Sequence, residues 1–250
     1  MFETIRRFES TTSTNDEAIR SARAGAPEGE VFVAETQTKG RGRLGRIWES
    51  PQGKNLAVSL LLRPQIPPAE APKLTLVAGA AIHETLLDFL PQPLKSELRI
   101  KWPNDVYCHG KKLAGVLAES ETQKGKVDWV VLGIGIDVNA GESDFSSDIQ
   151  KVATSLQIAN GRPVDKEKIF RDLLNIFERR YREFCKEGFA ATRDYVQAHG
   201  YLNGKEVHAA EGSLTITGVV QGVSEDGTLR IRTDAGQIVS IIAGDVRISR

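Results

Sequence analysis

Cysteine is scarce in this chain: two in 250 residues, Cys108 and Cys185, with no Cys-x-x-Cys spacing. That excludes a disulfide framework and a thiolate metal cage, and points to free thiols in a reducing compartment. Histidine is equally thin, with four residues scattered at 83, 109, 199 and 208. None has a Cys or carboxylate at ligand spacing, so no transition-metal set is read. His83 falls in a helical pattern and reads as a packing or solvated residue. No apolar run approaches the ~18–20 residues of a membrane span. "AVSLLL" (57–62) and "WVVLGIGI" (129–136) are strand-sized, and the polar N-terminus MFETIRRFESTTSTNDE is not a signal peptide. A cytoplasmic protein without a membrane partner is expected. Net charge is absent too: 33 Lys and Arg balance 33 Asp and Glu. Residues 201–250 carry five basic and six acidic side chains, net −1, leaving 28 − 27 = +1 for residues 1–200. Neither part is the basic body of a dedicated nucleic-acid binder.

What is present is a soluble globular composition, 40% hydrophobic and 26% charged, long enough for one large domain or a domain plus a small module. Thr14-Asn15-Asp16-Glu17 fits a capping box, which predicts a helix from there to Gly25. "EVFVAET" (30–36) and "NLAVSLLL" (55–62) read as strands. A helix is expected over 68–90, with Pro68 and Pro72 in its first turns, Pro91 ending it, and Leu74, Ala78, Ala81, Leu86 and Phe89 as its apolar stripe. Three more strands follow at "LRIKW" (98–102), "AGVLAES" (114–120) and "VDWVVLGIGIDV" (127–138). A long helix behind Asp165 covers 166–186, with Ile169, Leu173, Ile176, Phe177, Tyr181 and Phe184 at helical spacing, and a shorter one covers 189–198. From residue 203 the pattern is all β-type, with tight turns at Glu225-Asp226-Gly227 and Asp234-Ala235-Gly236. The whole reads as an α+β fold: a catalytic-sized unit over 1–202 and a small β-barrel over 203–250 that leans on it.

Four stretches carry chemistry. "GRGRLGR" (40–46) sets Arg41, Arg43 and Arg46 among Gly40, Gly42 and Gly45, directly after a strand and just before Trp48. Glycines allow close backbone approach and expose N–H groups to an anion, and arginine forks pair with carboxylate or phosphate oxygens. Taken alone the stretch is equally an ordinary solvated turn. "KWPND" (101–105) puts a lysine, an aromatic, a proline and two polar side chains at a strand end. "KKLAGVLAES" (111–120) leads with lysines into a strand containing Gly115; by itself it reads as a charged hairpin tip. "GIGIDVN" (133–139) alternates glycine with apolar residues and then offers Asp137 and Asn139; by itself it reads as a glycine-relieved core strand. No Walker loop or dinucleotide fingerprint occurs.

Together "STN" (13–15), "AETQTKGRGRLGRIW" (34–48), "KWPNDV" (101–106), "KKLAGVLAE" (111–119) and "GIGIDVN" (133–139), in that order, resemble the biotin protein ligases through essentially the whole chain. The resemblance implies a mixed sheet flanked by helices, followed by an SH3-like barrel. It implies a ligase that joins biotin to ATP, giving biotinyl-5′-adenylate and pyrophosphate with Mg²⁺ on the phosphates. The biotinyl group then passes to a lysine of a biotin carboxyl carrier protein. By family pattern Ser13, Thr14, Asn15 and Gln37 bind the ring end of biotin. Arg41, Arg43, Gly40 and Gly42 close over carboxylate and adenylate phosphate. Lys112, beside Gly115, is the central cation, with Arg43 sharing the catalytic role. Lys101 and Asn104 serve the phosphates, Arg46 and Trp48 the nucleotide, and Asn139 with Asp137 the adenine edge. No protein-borne metal site is expected. Trp48 and Trp102 would wall off water. The chain starts in the catalytic region, so no DNA partner is expected; a homodimer is compatible. Asp137 stands where an asparagine is usual, and an ionised carboxylate cannot donate; Leu44 stands where another basic residue can occur. The rivals are a lipoate or octanoate ligase of the related group and an Arg/Gly-loop nucleic-acid module, which the near-neutral C-terminal segment and the lack of a base-stacking aromatic row oppose.

Overall fold

The computed structural model describes residues 1–49, 51–211, 214–242 and 244–249. In chain order the elements are β1 (Ile5–Thr11), α1 (Thr14–Arg23), β2 (Val31–Gln37), β3 (Leu56–Leu62), α2 (Leu74–Leu87), α3 (Gln92–Lys95), β4 (Leu98–Lys101), β5 (Asp105–Cys108), β6 (Lys111–Gln123), β7 (Lys126–Ile136), α4 (Leu156–Asn160), α5 (Lys166–Glu187) and α6 (Ala190–Ala198). The C-terminal strands are β8 (Glu206–Glu211), β9 (Leu214–Val223), β10 (Leu229–Arg232), β11 (Ile238–Ile241) and β12 (Asp245–Ile248).

The first seven strands form one sheet in the order β1-β2-β3-β7-β6-β5-β4, parallel only between β1 and β2. Every residue of β3 is buried, because both faces of the sheet are covered there. On one face α2 packs over β6 and β7 and α5 packs on α2, around a core that includes Leu60, Leu62, Leu132 and Ile134; on the other α1 covers Phe32, Leu61, Trp129 and Val131. α2 is apolar on nearly all sides and correspondingly buried, including His83. His83 is a packing residue. Its Nδ1 lies 2.9 Å from the Tyr195 hydroxyl and its Nε2 3.1 Å from the Leu98 carbonyl, and burial pushes its pKa down to about 3.

Two expectations are corrected. The helix expected from residue 68 begins at Leu74; Pro68–Lys73 is a 3-10 turn, because a proline at 72 has no N–H to donate and disfavours α conformation at 71. Phe89 lies beyond its end. The capping box at Thr14 does not form. Ser13 is the N-cap, Thr14 is already helical, and Glu17 turns away to accept from the Thr11 hydroxyl at 2.6 Å. α5 starts where expected, with the Asp165 side chain accepting from the Lys168 N–H at 2.9 Å.

The C-terminal strands form a five-stranded antiparallel sheet in the order β11-β10-β9-β8-β12. Among the described residues the ladder does not close: β11 pairs only with β10 and β12 only with β8, so the expected barrel is an open sheet. It is fastened to the larger unit through the β9–β10 turn. The Trp102 indole donates to the Gly227 carbonyl (3.0 Å), Lys73 to the Glu225 carbonyl (3.2 Å), and Gln197 accepts from the Val223 N–H (3.0 Å).

Candidate active site

A cavity of about 820 Å³ opens between the ends of β2, β6 and β7, the 41–49 and 101–107 stretches, residues 145–153 and residues 244–247. Every site residue singled out from the sequence lines it except Gly40 and Asn139.

One wall is neutral and polar. The Gln37 side-chain oxygen accepts from the Thr14 N–H (2.8 Å) and the Thr14 hydroxyl (3.1 Å), satisfying a donor that the start of α1 leaves open. Buried Ser59 on β3 places its hydroxyl 2.7 Å from Thr14 Oγ1 and 2.6 Å from Asn15 Oδ1, while Asn15 Nδ2 donates to Glu119 at 2.7 Å. Ser13 is buried and its side chain makes no capping bond, which leaves its hydroxyl for a ligand.

The glycines of "GIGID" make room for this wall. A Cβ at Gly133 would overlap the Asn15 amide, and one at Gly135 would overlap the Trp48 ring. The strand is core, as its isolated pattern suggests, yet its glycines accommodate site residues. Gly135→Ala is therefore expected to cost about 1–3 kcal/mol of stability through overpacking. Thermal unfolding checks this, and Trp48→Ala in the same chain should recover most of the loss.

The cationic stretch is a small closed hairpin. Trp48 N–H donates to the Gly40 carbonyl (3.0 Å) and Gly42 N–H to the Arg46 carbonyl (2.7 Å), with Leu44 and Gly45 left-handed at the tip (φ 56° and 73°). A Cβ at Gly40 would sit 2.6 Å from the Trp48 carbonyl, so glycine there serves hairpin closure and does not face the cavity. The three forks go to three different places. Arg41 clasps Asp16 through two bonds (2.7 and 3.0 Å), which holds the Asp16 carboxyl below its usual range. Half-buried Arg43 donates to Asn104 Oδ1 (3.0 Å) and, at 3.4 Å, to the Gly244 carbonyl. Arg46 donates to Asp245 (2.8 Å). Asn104 is engaged at both ends, since its Nδ2 also donates to the Val116 carbonyl (2.8 Å). A phosphate, itself an acceptor, could take only the second Nδ2 hydrogen.

Lys112 sits centrally. Its backbone is clamped by Val152 and Thr154 (both 2.8 Å), and its ammonium lies 2.7 Å from Asp105 Oδ1 and 5.5 Å from the Trp48 ring. The Lys112–Asp105 ion pair is the contact that holds this ammonium in the cavity. Bare backbone at Gly115 lets the lysine lie across it; a Cβ there would be 2.9 Å from Nζ. Asp137 is buried, accepts from Asn55 Nδ2 at 2.5 Å, and burial pushes its pKa well up. Asn139, expected at the adenine edge, is bonded to the backbone of Val164. It lies off the cavity, and its amide bridges the Val164 N–H and carbonyl (2.9 and 3.0 Å). The sequence reading missed Asp105, Tyr107, residues 145–153 and Gly244–Arg247. Only Asp105 had a signal, as the last residue of "KWPND".

The model of the Biotin/lipoate A/B protein ligase family matches residues 4–137, and that of the Biotin protein ligase C terminal domain matches residues 203–248. The chain belongs to the biotin/lipoate protein ligase family. Relatives within it include the biotin–[acetyl-CoA-carboxylase] ligase of Paracoccus denitrificans, 36% identical over 92% of this chain and 94% of that one. The bifunctional ligase/repressor BirA of Bacillus subtilis is 35% identical over 95% of this chain and 71% of its own length. Among solved structures, the biotin protein ligase from Aquifex aeolicus in complex with biotin and ATP superposes with a TM-score of 0.83 at 31% identity. That match covers 99% of this chain and all of the other. Biotin ligase family members thus share the mixed sheet and the C-terminal sheet described here. No helix among the described residues is long and apolar enough to cross a membrane.

Proposed function

We propose that this protein is a biotin–[acetyl-CoA-carboxylase] ligase. It would activate biotin with MgATP and pass the biotinyl group to a lysine of a biotin carboxyl carrier protein. The observation that carries this reading is the two-ended cavity: a neutral hydrogen-bonding wall faces a cluster of cations across one space. Ser13, Thr14 and Gln37 suit a ureido ring, whose N–H and C=O groups need partners when buried. An apolar acyl chain would leave the Ser13 hydroxyl and the Gln37 amide N–H groups without a match, which disfavours a lipoate or octanoate ligase.

The first step brings the biotin carboxylate to the α-phosphorus of ATP. Two unit charges ~4 Å apart repel by about 1 kcal/mol in water and about 4 at an effective dielectric of 20. Lys112 offsets that repulsion at the attacked phosphorus, and Arg43 joins it from the hairpin. MgATP is the substrate form. Among the described residues no cluster of three His, Cys, Asp or Glu cages a metal, so Mg²⁺ would arrive on the phosphates with Asp105 as the carboxylate at hand. Trp48 and Trp102 exclude water from a hydrolysable intermediate. Residues 1–202 would bear both half-reactions, and residues 203–250 would brace the nucleotide end and receive the carrier.

The test is pyrophosphate release with biotin plus MgATP beside lipoate plus MgATP, followed by transfer to a carrier domain. Biotin-dependent release and a biotinylated carrier lysine are expected; equal or faster turnover with lipoate would overturn the assignment.

A further inference from the structure

Lys101 is an unusual cation. It ends β4, lines the cavity, is half-buried, and among the described residues has no carboxylate within ion-pair distance. Its ammonium bonds instead to the Tyr107 hydroxyl at 3.2 Å and lies 4.9 Å from the Tyr107 ring centroid. The ladder explains the meeting. Lys101 pairs with Asp105 and Arg99 with Tyr107 across β4–β5, so Lys101 and Tyr107 are diagonal neighbours on one face. Long and aromatic side chains bridge that diagonal.

The tyrosine is held from behind. Its ring packs on Tyr201 with centroids 4.9 Å apart, and Tyr201 is pinned by its N–H to the Ile100 carbonyl (2.8 Å) and by the Lys205 ammonium 3.6 Å over its ring. Residues 200–205 join the larger unit to the C-terminal sheet, so this buttress comes from the joint itself.

We propose that Tyr107 is a positioning residue for the nucleotide: its hydroxyl fixes the Lys101 ammonium where the pyrophosphoryl oxygens of ATP arrive. The hydroxyl also keeps a proton to give. Burial pushes the phenol well above its ordinary range, so it stays neutral, and an oxygen that accepts from Lys101 still carries its own hydrogen. No acceptor for that hydrogen exists among the described residues, and the cavity side is where an anion would supply one. Burial also pulls the Lys101 pKa down, so losing a bond that favours the charged ammonium has a visible consequence.

This inference rests on the ligase reading for its nucleotide, but inorganic pyrophosphate tests it without turnover. Tyr107→Phe keeps the ring and its packing on Tyr201 and removes only the hydroxyl. Calorimetry should show pyrophosphate and ATP bound about tenfold more weakly or worse, as for a lost bond to a charged group. Biotin affinity should be unchanged. The alkaline limb of the pH profile of kcat/KM for ATP should move to lower pH. In a Lys101→Ala background the same substitution should cost clearly less, leaving at most the hydroxyl's own bond to the anion.

Pyrophosphate affinity and alkaline limb both unmoved in Tyr107→Phe would overturn the proposal. So would a parallel loss of biotin affinity and thermal stability, which marks plain packing. A full additional loss in the Lys101→Ala background would overturn it too. If the wild-type protein makes no biotin-dependent pyrophosphate, the ligase reading fails while the pyrophosphate titration still decides the pair.

Discussion

Lys112→Ala is expected to slow biotin-dependent adenylate formation by at least about 10²-fold, the scale for losing one donor aimed at developing charge. Lys112 is the cavity cation whose backbone is clamped on both sides, by Val152 and Thr154, and its side chain lies over the bare backbone of Gly115. Its ion pair with Asp105 engages one of three ammonium hydrogens, so the others remain for phosphate oxygens. The side chain remains 30% exposed, and its removal opens no core cavity, so the fold should survive. Rapid-quench measurement of adenylate in the first turnover separates chemistry from product release. Formation at near the wild-type rate would show that the central cation lies elsewhere, with Lys101 or Arg43 the next to test.

How much of this was legible depended on whether one local signal determined the outcome. Val31–Gln37, Leu56–Leu62 and α5 were readable because apolar runs or helical spacing coincide with burial, and Asp165 caps its helix by itself. β1 was not, since among the described residues it is an edge strand paired only with β2, and most of its residues are exposed. Its sequence carries almost no apolar pattern. The capping box at Thr14 failed for a tertiary reason: Gln37, on a neighbouring strand, takes the N–H and hydroxyl of Thr14. The cationic hairpin, "KWPND" and Lys112 were legible as motifs, but their partners were not. Asp16 for Arg41, Asn104 for Arg43 and Asp245 for Arg46 lie on three separate stretches of chain, and no spacing within one segment announces them. Asn139, a polar residue at a motif position, has its amide bonded to the backbone of Val164, a partner no local spacing announces.

Those three partners give the arginine hairpin a definite mechanical position between α1, the "KWPND" loop and the C-terminal sheet. Its backbone closure is internal, through Gly40–Trp48 and Gly42–Arg46 bonds. What a ligand would reorganise is the set of side-chain contacts, Arg43 above all. That fork alone bridges the other two units, Asn104 on one side and Gly244 on the other.

Arg43→Gly should therefore uncouple the hairpin from both. Asn104 Oδ1 and the Gly244 carbonyl lose their donor, and glycine adds chain freedom at a residue whose ordering costs about 1–2 kcal/mol. The variant should still form adenylate, because Lys112 is untouched, but should hold it poorly. Free biotinyl-5′-adenylate would then escape to water and to bystander lysines, with an off-rate raised at least about tenfold for the loss of a charge-assisted bond. Arg43→Lys should leak less, since it keeps the charge and loses only the planar fork. Two measurements decide it: the adenylate off-rate, and amide exchange of residues 40–46 with and without biotin. Protection that rises on biotin in the wild type and is blunted in Arg43→Gly is the expected result. If the off-rate is unchanged and exchange ignores biotin in both proteins, the hairpin is a solvated turn and the arginines take no part in retaining the intermediate.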